Sequence, residues 1–303
     1  MIGTELHKGE STETLHLIFT LGVPGIGKSS LINTLRRASQ AIPQMSVEVL
    51  TADEVRSAIL AQEYQSRGLH VETLSQEEIF KIEVESGNKI KLAFNEEVSA
   101  RLIKLSKVGS PLSLFFLDKN YCSASLVNHV NEEAAKYFSG YNIQRTLMVP
   151  DKTQPEDTEN LKFGPFRLQT ILVGLIRAIN RKNHITMHYG NKHALLSFIG
   201  SLMSQVSDEP AKRFPPVSYK WLEMDYYDKN IKIPEQIEGT LSLENLRQLL
   251  MNLVTKKAEL DEEKFSQLVA VSQKLAHISG FHEVTEPECL IILRREFLGI
   301  DFK

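Results

Sequence analysis

Short apolar runs alternate along the chain with longer stretches of helical periodicity. Four of these runs have the length of strands, at residues 15–21, 47–51, 112–117 and 143–149. Strands that alternate with helices are typical of βαβ units, in which the strands lie parallel. The pattern therefore predicts an α/β fold, a three-layer sandwich with a mainly parallel sheet and helices on both faces.

The region between the second and third predicted strands is helical. Ser75 and Glu78 have the spacing of a capping box, in which each residue satisfies the other's backbone N–H at the start of a helix. Apolar residues then recur on one helical face, at Ile90, Phe94, Val98, Leu102 and Leu105. We expect this stripe to pack in the core and not to form a site.

The second half of the chain alternates polar segments with helical ones. Residues 150–160 contain two prolines and no periodicity, which predicts a flexible loop. Helical stretches follow at about residues 166–181 and 192–205, and the proline-rich segment 209–216 has the composition of a boundary. Beyond it we expect residues 217–303 to form a mostly helical C-terminal extension that begins with an extended stretch.

Composition is that of a globular protein kept in a reducing compartment. Of 303 residues, 42% are hydrophobic and 24% are charged, and the formal net charge is −3. The first 14 residues predict a flexible tail, and no apolar run approaches the roughly 20 residues that a spanning helix needs. Two cysteines cannot form a disulfide framework. We expect an intracellular protein, cytoplasmic or nuclear, that has no membrane partner and does not coat nucleic acid in bulk.

A complete phosphate-binding motif lies directly behind the first predicted strand. Residues 22–29 read Gly-Val-Pro-Gly-Ile-Gly-Lys-Ser, and a helix is expected to follow. Glycines let successive backbone N–H groups turn towards phosphate oxygens, and the helix adds its positive N-terminal end. We expect Lys28 to contact the β- and γ-phosphates of ATP or GTP, and Ser29 to ligate Mg²⁺. The residues assigned to the nucleotide are Gly22, Pro24, Gly25, Ile26, Gly27, Lys28, Ser29 and Ser30.

A second candidate element follows the second predicted strand. Asp53 lies at the carboxyl edge of the sheet, where α/β proteins hold their ligands, and can accept the proton of an acceptor hydroxyl. Arg56 follows three residues later on the same helical face and is suited to an anionic part of the acceptor. The alternative is that Asp53 only caps the helix, since Thr51 and Asp53 are both good cap residues.

The third predicted strand ends in Asp118, as a Walker B strand does. We expect Asp118 to hold Mg²⁺ through water or to orient Arg56, and we place Asn120 with it on the substrate side. The motifs that characterise switch GTPases and transport ATPases are absent, which favours a small phosphotransferase.

Basic residues cluster after the predicted loop at 150–160, which in a phosphotransferase is a candidate lid. They are Arg167, Arg177, Arg181 and Lys182. A guanidinium brought over the triphosphate stabilises the transition state and raises the rate roughly 10³- to 10⁵-fold. Arg177 and Arg181 lie four residues apart and share a helical face, and the alternative is an ordinary solvated face.

These motifs together resemble one family. The loop and the Asp53-x-x-Arg56 pair resemble the 5′-hydroxyl polynucleotide kinases. Asp118-Lys119-Asn120 resembles the strand end in the kinase domains of plant and fungal tRNA ligases, and the stretch from Pro165 through Arg177 to His184 resembles their lid helix. The resemblance covers about residues 15–205.

The resemblance implies transfer of the γ-phosphate of ATP or GTP to the 5′-hydroxyl of a cleaved RNA, as in tRNA splicing or repair. Asp53 is then the base, Arg56 an acceptor contact, and Arg177 or Arg181 the lid arginine. Residues 15–216 form the kinase domain, with a lid at about 150–184. The adenylyltransferase motif Lys-x-Asp-Gly of the fused ligases is absent. We therefore expect a tRNA fragment as partner and a separate ligase for sealing.

Two other functions stay open at this point. The first is a kinase that acts on a small molecule or on an aminoacyl-tRNA hydroxyl, because an Asp-x-x-Arg pair after the second strand also occurs in such relatives. The second is a nucleotide-dependent switch or scaffold, in which the C-terminal helices bind a partner.

Overall fold

Five parallel strands form the central sheet of the protein. The computed structural model describes residues 13–120, 122–149, 162–163, 166–180, 192–206, 220–223, 236–238, 241–278 and 284–300. Most of the predicted N-terminal tail, most of the predicted lid, and Arg181 and Lys182 lie outside these residues. No helix within the described ranges combines the length and the apolar character needed to cross a membrane.

The strands belong to one large sheet and two small ones. In chain order they are β1 (Thr14–Thr20), β2 (Met45–Thr51), β3 (Leu112–Asp118), β4 (Asn142–Val149), β5 (Lys162–Phe163), β6 (Phe166–Arg167), β7 (Lys220–Glu223), β8 (Gln236–Glu238) and β9 (Leu241–Ser242). The large sheet has the order β2-β3-β1-β4-β7, while β5 with β6 and β8 with β9 form antiparallel pairs. The four strands predicted from apolar runs are confirmed.

Helices connect the strands and cover both faces of the sheet. They are α1 (Lys28–Ser39), α2 (Ala52–Ser66), α3 (Gln76–Glu85), α4 (Gly87–Val108), α5 (Ala124–Tyr137), α6 (Leu168–Asn180), α7 (Lys192–Val206), α8 (Leu243–Val254), α9 (Glu262–Lys274) and α10 (Glu286–Leu298). Ser75 and Glu78 form the predicted capping box of α3. The predicted apolar stripe lies on α4, where Phe94, Val98 and Leu102 are buried.

The sheet separates two apolar cores. On one face Leu15, Leu17 and Phe19 of β1 pack into a core that includes α4 to α9. On the other face Ile18 packs against α1 and α10, and the ring of Phe297 meets His16 edge-on at 4.9 Å between centroids. Side chains alternate between the two faces along β1, as expected for a strand buried on both sides.

The C-terminal part of the chain completes this arrangement. Strand β7 pairs in parallel with β4 and thereby extends the sheet. Helix α8 packs against α7, α9 packs against α6, and α10 packs against α1. The described elements of the predicted extension at 217–303 are therefore built onto the sheet and onto the helices that cover it.

Helix α10 should contribute strongly to stability through its buried face. Leu293→Ala removes a side chain that is fully buried against α1 and leaves a cavity, so we expect the free energy of unfolding to fall by about 2–5 kcal/mol. Ile291→Ala is the matched control, because Ile291 lies on the same helix but is 49% exposed, and we expect a change within about 0.5 kcal/mol. Urea unfolding measures both values. If the free energy of unfolding falls equally in the two variants, Leu293 does not anchor α10.

Candidate functional site

The candidate site lies where the carboxyl ends of β1 and β3 meet. These strands are neighbours, yet the chain leaves β1 towards β2 on one side and leaves β3 towards β4 on the other. Such a reversal of strand order opens a crevice at the carboxyl edge of a parallel sheet, which is where α/β proteins bind their ligands. Thr20 Oγ1 donates to the carbonyl of Leu117 at 3.0 Å and holds the two strand ends together.

The loop that follows β1 has the backbone of an anion-binding turn. Gly22, Gly25 and Gly27 have φ values of 142°, 86° and 84°, a region that is accessible to glycine at little cost. Gly27 is also the N-cap of α1 and offers no side chain to the helix's first N–H groups. The positive end of α1 therefore opens towards the crevice, and an anion is the natural ligand for it.

Lys28 is buried inside this loop with its charge satisfied by oxygen atoms. Its Nζ donates to the carbonyls of Gly22 at 3.0 Å and Val23 at 2.9 Å, and to Oδ1 of Asn120 at 2.6 Å. Asn120 was predicted to lie on the substrate side. In the structure its side chain accepts a hydrogen bond from Lys28. These hydrogen bonds hold Lys28 between the loop and the residues that follow β3.

Asp118 lies buried beside Lys28 and Ser29. Burial raises the pKa of its carboxyl group, and the nearby carboxylates Asp53 and Glu54 act in the same direction. The charge of Lys28 and a hydrogen bond from the hydroxyl of Ser29 oppose this rise. A buried carboxylate with other carboxylates close by is stabilised by any cation that enters the crevice.

The Ser29 hydroxyl and the Asp118 carboxylate are the oxygen donors that could hold Mg²⁺ at this place. A hydroxyl and a carboxylate in hydrogen-bond contact are hard ligands, and Mg²⁺ is usually held by few protein groups and completes its octahedron with water and substrate phosphates. The described residues contain no group of three His, Cys, Asp or Glu side chains that could hold a metal by themselves. The arrangement suits a metal that arrives with a nucleotide.

Asp53 lies at the start of α2 and does not cap it. Thr51 is the N-cap, and its Oγ1 accepts from the backbone N–H of Glu54 at 3.3 Å. Asp53 is therefore not the N-cap residue of α2, although it lies in the first turn of the helix. The side chain of Asp53 is 53% exposed and remains accessible to an acceptor.

Arg56 is held in place by two carboxylates. Its Nη1 lies 3.9 Å from Oδ1 of Asp53, and its Nε lies 3.4 Å from Oε1 of Glu83 on α3. Asp118 is not among the partners of Arg56 in these ion pairs, so the structure shows no orienting contact between them. The guanidinium instead bridges the first turn of α2 to the last turn of α3.

Lys119 follows Asp118 but faces a different environment. Its Nζ lies 4.7 Å from the ring centroid of Phe94, a distance at which a cation is attracted by the aromatic face. Burial lowers the pKa of the Lys119 ammonium, and the positive charges of Arg56 and Lys91 lower it further, against an opposite effect of Cys122. Three cations therefore lie near one another at this corner of the sheet.

Helix α6 packs directly against the phosphate-binding loop. A Cβ atom added to Gly25 would lie 2.7 Å from the carbonyl oxygen of Gly174 and 3.2 Å from Cβ of Arg177. The Cβ of Arg177, one of the predicted lid arginines, therefore lies beside the loop. The other, Arg181, lies outside the described residues, as does the side chain of Arg167.

The other residues that the sequence assigned to nucleotide binding differ in burial. The side chains of Pro24 and Ile26 are buried, and Ile26 is part of the larger core, so they can serve the nucleotide only through the backbone. Ser29 and Ser30 are exposed on the first turn of α1.

Two residues of this region were not singled out in the sequence, and a third, Lys119, was named only as part of the Asp118-Lys119-Asn120 motif. Gly174 touches the loop, Glu83 holds Arg56, and Lys119 contributes a half-buried charge. A glycine in the middle of an apolar helical stretch is a sign of close packing and could have identified Gly174. No local pattern distinguishes Glu83, and the motif that contains Lys119 does not show its contact with Phe94, because both contacts join elements that are distant along the chain.

Comparisons with known proteins add little to this description. No protein-family model matches the chain, and no curated protein matches it. Among solved structures, a fungal RNA kinase has a TM-score of 0.38 at 12% sequence identity, covering 86% of this chain and 98% of its own. A structure from the PezAT chromosomal toxin–antitoxin system of Streptococcus pneumoniae has a TM-score of 0.35 at 16% identity, covering 90% and 89%. Likenesses at this level assign no activity to the chain.

Substitution of Gly174 should disturb the loop without unfolding the helix. The added methyl group of Gly174→Ala would meet the carbonyl oxygen of Pro24 and the side chains of Val23 and Ile26, each at 3.0 Å. We expect the loop to shift and the affinity for a fluorescent ATP analogue to fall by roughly tenfold, about 1.4 kcal/mol.

Gly200→Ala is the matched control, since it also lies within a helix and meets no described atom within 4 Å. It should leave affinity unchanged and stabilise α7 by about 0.5–1 kcal/mol, which thermal unfolding can measure. If both variants bind the nucleotide as the wild type does, contact between α6 and the loop does not govern binding.

Proposed function

We propose that this protein is a nucleoside triphosphate-dependent kinase that transfers the γ-phosphate of ATP or GTP to the 5′-hydroxyl of RNA. One observation carries the proposal. Thr51 lies opposite Asp118 in the register of β2 and β3, so Asp53 begins α2 beside the end of β3, where Asp118 hydrogen-bonds with Ser29. Asp53, whose side chain is 53% exposed, therefore lies two residues beyond the end of β2 that pairs with Asp118.

The donor half of the site is built from the loop and the end of β3. Backbone N–H groups of the loop and of α1 bind the phosphates, and Lys28 compensates charge at the β- and γ-phosphates. Mg²⁺, held by Ser29 and Asp118, would neutralise charge on the transferred group. Arg177, whose Cβ lies beside Gly25, would add a second positive charge over the phosphates.

The acceptor half is built from the first turn of α2. Asp53 accepts the proton of the acceptor hydroxyl as its oxygen bonds to the γ-phosphorus and as the bond from that phosphorus to the bridging oxygen breaks. The leaving group is the nucleoside diphosphate. Arg56, fixed between Asp53 and Glu83, orients the base and contacts an anionic part of the acceptor.

RNA is the acceptor that the sequence favours. The order and spacing of the loop, the Asp53-x-x-Arg56 pair and Asp118-Lys119-Asn120 resemble the kinase domains of plant and fungal tRNA ligases. On this proposal the substrate is the 5′-hydroxyl fragment of a cleaved tRNA, and a separate ligase joins the phosphorylated end. The three motifs each follow the carboxyl end of a parallel strand, β1, β2 or β3, which supports their belonging to one site.

The direct test is a labelling assay with a choice of acceptors. The protein is incubated with γ-labelled ATP or GTP, Mg²⁺ and a 5′-hydroxyl RNA oligonucleotide, and label is followed into RNA. We expect label in the RNA and none when the same oligonucleotide carries a 5′-phosphate. If label enters only a small compound that carries a hydroxyl group, the acceptor is that class of compound and not RNA. Tight nucleotide binding without acceptor-dependent transfer would favour a switch or scaffold.

Asp53→Asn should separate nucleotide binding from transfer. The variant keeps the size of the side chain but cannot accept the proton, so we expect transfer to fall by roughly 10²- to 10⁴-fold. Nucleotide affinity should remain nearly that of the wild type, whereas Lys28→Ala should weaken both. A fluorescent nucleotide measures binding and label transfer measures the rate.

Glu54→Gln controls for loss of a negative charge in the same helical turn. It should reduce transfer far less than Asp53→Asn does. A similar loss in the two variants, or lost nucleotide binding in Asp53→Asn, would contradict the assignment of Asp53 as the base.

A further inference from the structure

Two lysines near the end of β3 have no carboxylate partner in the described part of the chain. Lys119 is half-buried at the end of β3, and its ammonium faces the ring of Phe94 on α4. Lys91 lies on the same helix, three residues before Phe94. By contrast Lys28 is fully compensated by oxygen atoms, and Lys104 pairs with Glu48. An uncompensated ammonium that is partly removed from water is costly unless an anion binds to it.

A third cation completes the group from another direction. Arg56 projects from α2, and its charge and that of Lys91 both act on Lys119. Asp53 and Glu83 compensate the charge of Arg56. Of these three cations, only Lys119 and Lys91 therefore keep a positive charge without a paired carboxylate. Helices α2 and α4 and the end of β3 thus bring positive charge to one place next to Asp53.

This place is separate from the phosphate-binding loop. Phe115 and Leu117 of β3 pack on the side of the sheet that α4 covers, in the same core as Phe94. Side chains alternate along a strand, so Lys119 follows Phe115 and Leu117 towards α4 while Asp118 points towards the loop. The charges agree with this geometry, since Lys28 acts on Asp118 and Arg56 acts on Lys119.

We propose that Lys119 and Lys91 form an anion subsite that binds a phosphate of the acceptor. The subsite rests on the proposed function and narrows it to an acceptor that carries a phosphodiester next to the reacting hydroxyl, as an RNA strand does. A neutral nucleoside or sugar lacks the group that these lysines recognise. Ammonium groups bind phosphate as point charges through charge-assisted hydrogen bonds.

The experiment compares two acceptors and three lysine variants. The acceptors are a 5′-hydroxyl RNA hexamer and uridine, and the variants are Lys119→Gln, Lys91→Gln and Lys107→Gln. Lys107 is the matched control, because it lies on α4 with Lys91 but is exposed near the far end of the helix. Lys119→Arg tests whether charge alone restores the wild-type value.

We expect Lys119→Gln to raise KM for the hexamer by about tenfold, the effect of one lost charge-assisted hydrogen bond, and to change kcat less. Lys91→Gln should act in the same direction, Lys107→Gln should match the wild type, and Lys119→Arg should recover most of the loss. Transfer to uridine should be poor and equal in all of them. An equal preference of the wild type for both acceptors, or an unchanged KM in Lys119→Gln, overturns the subsite.

Binding without turnover separates the two proposals. Fluorescence anisotropy with a 3′-labelled 5′-hydroxyl hexamer measures affinity directly, and thermal unfolding verifies that each variant is folded. Hexamer binding that depends on Lys119 while no acceptor receives label supports the subsite and overturns the kinase. Transfer to RNA with equal hexamer affinity in Lys119→Gln and Lys107→Gln supports the kinase and overturns the subsite.

Discussion

The burial of one cation, Lys28, is the constraint on which the rest of the site depends. A buried ammonium must be surrounded by oxygen atoms, and Lys28 obtains them from two loop carbonyls and from Asn120 beyond the end of β3. The loop and β3 are therefore fixed relative to each other before any ligand binds. Asp118, which is destabilised by its own burial, lies against the same charge and is stabilised by it.

This constraint is supported from both sides of the sheet. Helix α1 carries Lys28 on its first residue, and α10 packs along α1 from the C-terminal end of the chain. On the opposite side α6 touches the loop through Gly174, while α9 packs behind α6. Helices α9 and α10 thus pack against the two helices that contact the loop, α6 and α1. This packing is a structural role for the C-terminal part of the chain.

Local signals in the sequence predicted the elements well and the contacts between them poorly. The strands, the capping box of Ser75 and the glycine loop depend on residues within a few positions of each other, so their patterns were sufficient. The pairing of Arg56 with Glu83 depends on how α3 returns against α2, and the place of Lys119 over Phe94 depends on how α4 crosses β3. Packing decides such contacts, and periodicity shows only that a face is apolar.

The end of β3 serves both halves of the site because neighbouring residues on a strand point to opposite sides. Asp118 faces the loop and Lys119 faces α2 and α4. In the proposed mechanism, donor chemistry and acceptor recognition are therefore separated by a single peptide unit. The parallel register that places Thr51 opposite Asp118 brings Asp53 to the same point from β2. A shift of β3 by one residue would turn Asp118 and Lys119 to the opposite faces of the sheet, so that neither would keep its present neighbours. The register of this strand is therefore as much a part of the proposed mechanism as the side chains themselves.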